Sequence, residues 1–406
     1  MEPGGRSRRE LLIVLGLLSA FPPWSIDMYL PGLPGLTRDL HTSAAPAQLT
    51  LTACMAGLAL GQLVSGPLSD AYGRRRPLLV GLVAYAGASA ACALAPNIWS
   101  LVGLRFLQGV AGSAGVVIGR AIVRDVWGGR DAARVFSILL IVVGIAPIVA
   151  PIAGGLVLQV GSWREIFVAL AGVGVVLFLL ALFRVPESLP AGRRHGGGLG
   201  STVRVFRHLA GDRTFASPAA AFGLGFATLF AYISASSFVL ENVYGLSPQS
   251  FSLVFAANAL AMVFAAQTSS WLVGRTGPEH LLRIGLLALA AAGAEVLAVA
   301  ALHGRLAAML VGLLVVVGAC GFVIPNGTAL AMAEHGDVAG SASALLGLLQ
   351  FGLGAVVAPL VGVAGSRSGL PMGIVIASSA VLALAVTVTL GRERRARAIP
   401  EASRAR

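Results

Sequence analysis

Gly66-Pro67-Leu68-Ser69-Asp70-Ala71-Tyr72-Gly73-Arg74-Arg75-Arg76 sets one acid and three arginines in a tight turn between two long apolar runs. Spans that follow one another so closely need a short, sharply bent connector, which Gly73 permits. Three consecutive arginines hold such a connector on the cytoplasmic side of a membrane. Asp70 and Arg74 stand four apart, a spacing that lets them pair where the turn is helical. Taken alone, the stretch reads as a charged loop that only sets topology; the rest of the chain adds to it.

The chain has 406 residues, 57% hydrophobic and 11% charged. Soluble domains carry about 25% charged residues, so the composition is that of an integral membrane protein. The net charge of +12 could suggest nucleic acid, but its distribution excludes that reading. There is no lysine, and 24 of the 29 arginines fall on one side once the apolar runs are treated as spans. Arg38, Arg164, Arg305 and Arg367 fall opposite, and Arg105 lies inside a run. This positive-inside pattern places both termini in the cytoplasm. Cys54, Cys92 and Cys320 lie in apolar runs without metal-ligand spacing and read as small core residues. Arg6, Arg8 and Arg9 precede an apolar run that continues to Asp27 with no A-x-A site, so it is taken as a first span rather than a leader.

A span needs roughly 20 apolar residues, and twelve candidates follow: 10–31, 47–69, 77–96, 99–121, 135–159, 163–184, 215–240, 249–273, 281–302, 306–330, 338–363 and 370–390. The expected organisation is an all-α membrane protein. A six-helix bundle occupies 1–184, a cytoplasmic linker 185–214, a second six-helix bundle 215–391 and a basic cytoplasmic tail 392–406. A short amphipathic helix is expected around Val203–Leu209. The halves echo each other. Gly73 to Gly81 aligns with Gly277 to Gly285, and Leu101-Val102-Gly103-Leu104 with Leu310-Val311-Gly312-Leu313. Gly144, Ala150 and Pro151 align with Gly352, Ala358 and Pro359. Three matches in order, at offsets of 204, 209 and 208 residues, point to parallel repeats, the plan of a two-bundle transporter.

Asp27, in Ser25-Ile26-Asp27-Met28-Tyr29-Leu30-Pro31, lies toward the outer half of the first span. An acid there costs roughly 2.5–3.5 kcal/mol to insert, and such residues are functional by default. A carboxyl whose hydration alternates can bind and release a proton; the plainer reading is a hydrated structural acid at the interface. Tyr29, Tyr232, Asn258, Asn326 and Gln350 are polar positions within apolar runs, which could line a mostly apolar cavity or serve as interhelical glue. Glu241 ends the seventh span and reads as interfacial, while Glu295 in the ninth has no assigned role.

G-x-x-x-D-x-x-G-R-R-R over Gly66–Arg76 resembles motif A of the major facilitator superfamily, with Ala71 where that family has a basic residue. Arg105-Phe106-Leu107-Gln108-Gly109-Val110-Ala111-Gly112 resembles its motif B, whose arginine is implicated in proton coupling. The stretch Gly144 to Gly155, with Pro147, Pro151, Gly154 and Gly155, is similar to motif C, the antiporter signature, with Ala150 replacing a usual glycine. Asp-Met-Tyr-Leu-Pro on span one, Arg124-Asp125 after span four, and Ala342 to Gly347 with Gln350 narrow the resemblance to the Bcr/CflA branch of twelve-span drug:proton antiporters.

The resemblance implies a bacterial inner-membrane exporter of small hydrophobic or amphipathic drugs, such as phenicols or bicyclomycin. Asp27 and Arg105 would couple protons, and Asp70, Arg74 and Asp125 would form an inner-gate cluster. The alternative is a transporter of a natural metabolite, a sugar or an amino-acid derivative. The implied partners are a small-molecule substrate, protons and the lipid bilayer, not nucleic acid, and nothing demands more than a monomer. With no Walker A, no H-E-x-x-H and no metal-ligand spacing, neither an enzyme nor a cofactor is expected.

Overall fold

Proline and glycine decide where the helices stop. In this computed structural model, which describes residues 5–127, 129–190, 192, 206–335, 339–362 and 368–404, the first span is not one rod over 10–31. It runs as α1 (Gly5–Ser19), α2 (Phe21–Asp27), a 3-10 turn (Leu30–Gly32) and α3 (Leu33–Asp39). Each piece after α1 carries a proline in its first two positions. There a missing N–H costs nothing, whereas inside a continuous helix it would break the ladder.

The remaining helices are α4 (Ala44–Tyr72), α5 (Arg75–Ala93), α6 (Ile98–Val126), α7 (Gly129–Val160) and α8 (Trp163–Arg184). After the linker come α9 (Arg213–Ser237), which passes into a π-turn (Phe238–Val243), α10 (Pro248–Thr276), α11 (Pro278–Ala301), α12 (Leu306–Met332), α13 (Ala339–Leu360) and α14 (Leu370–Arg404). Every regular element among the described residues is helical. Among the described residues, eleven stretches are long and apolar enough to cross a membrane, and the twelfth expected span is represented by the shorter Leu345–Leu360. Much of the expected linker, including 203–205 of its amphipathic helix, lies outside the described residues. Residues 206–211 are helical, and Leu209 is buried with Phe215, Ala219 and Phe222.

The contacts divide into two units. One gathers described residues within Met1–Gly197 together with Ser237–Ala256; the other lies within Gly198–Ser236, Ala257–Ala364 and Ser368–Arg406. In the first unit, α4 and α6 meet backbone to backbone. A Cβ on Gly57 would stand 2.2 Å from the Phe106 carbonyl oxygen, and one on Gly109 would stand 2.1 Å from that of Cys54. Small residues allow this approach, which drives association where lipid removes the hydrophobic incentive. The second unit repeats the device at Gly321, 2.5 Å from the Met262 carbonyl oxygen, whereas Gly318 opposes nothing. The repeat is also visible in the connectors: Gly73 (φ 88°) and Gly277 (φ 79°) both take a positive φ that side chains resist.

Candidate functional site

The charged connector folds into a small closed network. Arg74 is 8% exposed. Its Nη1 donates to Asp70 Oδ1 at 2.5 Å and to Ser69 Oγ at 2.8 Å, and its Nε donates to Asp125 Oδ2 at 2.9 Å. The structure therefore brings Asp70, Arg74 and Asp125 together. Burial works against the Arg74 charge, but the bonds to Asp125 and Asp70 outweigh it and hold the guanidinium above its ordinary pKa. Two further residues complete the network. Glu187 accepts from the Arg74 and Arg75 backbone N–H groups at 2.7 and 3.2 Å, and Ser188 Oγ donates to Asp125 Oδ2 at 2.9 Å. Both were hidden in a stretch read as linker. The available signal was an acid three residues after Arg184, at the end of a span.

Asp27 closes α2, is 5% exposed, and makes no hydrogen bond or ion pair with another described residue. What holds it there is the glycine packing on either side of α2. A Cβ on Gly154 would lie 2.0 Å from the Met28 carbonyl oxygen, and one on Gly115 would lie 2.7 Å from the Phe21 ring. Gly154 of the motif C stretch thus seats α7 against the chain break beside Asp27. Gly155 faces the other way, where a Cβ would come within 2.6 Å of Ser252 Oγ, and Gln249 Nε2 donates to its carbonyl at 3.2 Å. Pro147 and Pro151 lie within the α7 helix.

Arg105 is fully buried and does not pair with Asp27. Its guanidinium lies between two rings, with Cζ 5.0 Å from the Tyr29 centroid and 5.5 Å from that of Phe167. Nη1 donates to Gln108 Oε1 at 2.5 Å, while Nε and Nη2 have no partner among the described residues. Polar contacts continue from Gln108 Nε2 to Ser89 Oγ (2.7 Å) and from Ser89 Oγ to the Tyr85 carbonyl (2.8 Å). The Tyr85 hydroxyl meets Ser25 Oγ at 2.7 Å, two residues from Asp27. The two contacts meet Tyr85 at different ends, its carbonyl and its hydroxyl, and none of these groups bonds Asp27, so Arg105 and Asp27 are not joined by a continuous hydrogen-bonded path among the described residues.

The candidate cavity residues sort differently. Tyr29 is buried, with its hydroxyl 3.2 Å from Thr50 Oγ1. In the second unit Asn258 Nδ2 donates to the Tyr232 hydroxyl at 3.0 Å. Asn326 Nδ2 donates to Ser269 Oγ at 2.7 Å and to the Phe322 carbonyl, so it bridges α12 and α10. Gln350 is half-buried on α13. Glu295 lies exposed on the flank of α11, away from the buried groups. Glu241 is half-buried in the π-turn at the end of its span, and its Oε1 has no partner among the described residues.

The sequence profile of the Major Facilitator Superfamily matches residues 15–359. The chain is 42% identical to the uncharacterized MFS-type transporter YdgK of Bacillus subtilis, covering 97% of this chain and 98% of that protein. It is 34% identical to a chloramphenicol resistance protein of Pseudomonas aeruginosa (87% and 84% covered). It is 32% identical to a bicyclomycin resistance protein homolog of Haemophilus influenzae (86% and 88%). Among solved structures, the nucleoside transporter NupG superposes with a TM-score of 0.77 at 13% identity, over 95% of this chain and 99% of that one, which shows the fold. With two buried charge-bearing sites on a helical frame, and these relatives, the chain belongs to the major facilitator superfamily of multi-pass membrane transporters, in its Bcr/CflA-type branch.

Proposed function

We propose that this transporter exports small hydrophobic or amphipathic compounds in exchange for protons. The observation that supports this most is Asp27: a buried acid at a break in span one, held between Gly154 of the antiporter-like stretch and Gly115 of α6, with no countercharge paired to it among the described residues. Proton binding and drug binding would compete through that carboxyl, with Arg105 influencing it as a buried positive charge in the same unit. The Arg74 network would act as the inner latch, since buried charge clusters serve better as switches than as sources of stability. The named resistance relatives make phenicols and bicyclomycin the first substrates to try. The arginine distribution supports termini on the cytoplasmic side of a bacterial inner membrane.

The test is transport by purified protein in liposomes under an imposed pH gradient. Asp27→Asn is expected to abolish gradient-driven flux while leaving the protein folded. Normal flux in the mutant would move coupling away from Asp27, and no flux of any drug in the wild type would favour a natural metabolite as substrate.

A further inference from the structure

Each half of the chain opens with a span that is irregular toward one end and carries an acid there: Asp27 before the 3-10 turn, and Glu241 within the π-turn after α9. The second acid has no part in the reading above. Its turn belongs to the first contact unit and packs against α3. A π-turn inserts an extra residue per turn and is retained mostly where it serves a function. Here it presents a carboxyl whose Oε1 is sealed from solvent with no donor among the described residues. A charged carboxylate held so pays a desolvation cost that a neutral acid largely avoids.

We propose that Glu241 is a proton-binding latch of the outer side, neutral while the π-turn lies against α3 and ionised when the two part. On closing, the carboxylate takes one proton from the outer solution, forming its O–H bond. On opening, it returns that proton to the same side. The residue therefore makes closure depend on external acidity without adding a transported proton. "Outer" rests on the orientation proposed above.

The other charged groups around the turn do not account for such a dependence. Arg38 on α3 acts on Glu241 as a fixed positive charge. Asp39, on the same helix, accepts a hydrogen bond from Trp163 Nε1 at 3.0 Å. Tyr244 at the end of the turn is pushed by burial further from titration near neutrality. His41 follows α3 and serves as the histidine control.

The experiment places spin labels at Ser43→Cys and Asn242→Cys, both exposed positions, in the full-length protein in liposomes. The distance distribution is read while only the external or only the internal pH is changed. Acidifying the outside is expected to enrich the short distance. Glu241→Gln should hold the short distance at every pH, Glu241→Asp should restore the response, and His41→Gln should leave it intact. A wild-type distribution indifferent to pH, or a Glu241→Gln protein that responds like wild type, overturns the proposal. A response to internal pH alone overturns it through its orientation. None of these outcomes depends on a drug being moved, so failure of the exporter reading shows separately.

Discussion

Asp27 and Glu295 are both acids within spans, yet the fold treats them oppositely. Asp27 is enclosed by glycine-seated helices, whereas Glu295 stands on the flank of α11 with its carboxyl carbon 3.6 Å from where a Gly312 Cβ would lie. An acid at the periphery of a bundle can reach toward the interface, and its neutral amide serves as well. Glu295→Gln is accordingly expected to leave liposome export within about twofold of wild type, a loss of at most ~0.4 kcal/mol in transition-state terms. A collapse of flux would instead bring Glu295 into the coupling path. The sequence set Asp27 apart and left Glu295 without a role, but which of them is enclosed was not legible, because which flank of a helix faces its neighbours is set by packing that apolar spans do not encode in a polar face. The same holds for Arg105: its motif was legible, but its seat between Tyr29 and Phe167 required knowing how three helices turn toward one another.

At the scale of elements, backbone contacts set the tolerances. Gly154 has no room for a methyl group, since the obstacle is the Met28 carbonyl rather than a side chain that could move. Gly154→Ala should push α7 off the break in span one. It should lower stability by about 1–3 kcal/mol, as overpacking does, measured as a drop in Tm in detergent, and impair export at the same time. An unchanged Tm would show that α7 and α2 can slide apart freely. The start of α9 offers a pH test. Asp212 Oδ1 accepts the Thr214 backbone N–H at 2.9 Å, and its Oδ2 lies 3.1 Å from His335 Nε2. The Thr214 bond first, and His335 with it, hold the Asp212 carboxyl below its usual pKa despite some burial. A depressed carboxyl contributes stability above its unfolded pKa and loses it as pH falls through the folded one. Asp212→Asn should therefore flatten part of the acid-side decline in Tm that the wild type shows; identical acid limbs would refute this. The element boundaries themselves were partly legible. Prolines 22, 23, 31 and 34 announce a broken first span, but hydropathy reads through them. The π-turn that carries Glu241 has no mark in the sequence at all.

For the whole molecule, the sequence carries a charge asymmetry that implies an orientation, and a repeat whose connectors share a backbone conformation. Arginines crowd one set of connectors, and glycines 73 and 277 recur with the same backbone twist in corresponding places. A C-terminal alkaline phosphatase fusion is expected to be inactive and a C-terminal green fluorescent protein fusion to be bright. The reverse pair would invert the reading of both ends of every span. What the repeat does not convey is divergence: Gly109 is jammed against a carbonyl, while its counterpart Gly318 faces open space.

The three cysteines have no measurable exposure. A protein built this way is silent to water-soluble thiol reagents while it stays folded. Single reporter cysteines can therefore be added one at a time on the native background, without first stripping out residues that fill its core. The packing that conceals those sulfurs makes the wild-type chain its own blank for mapping which surfaces open and close.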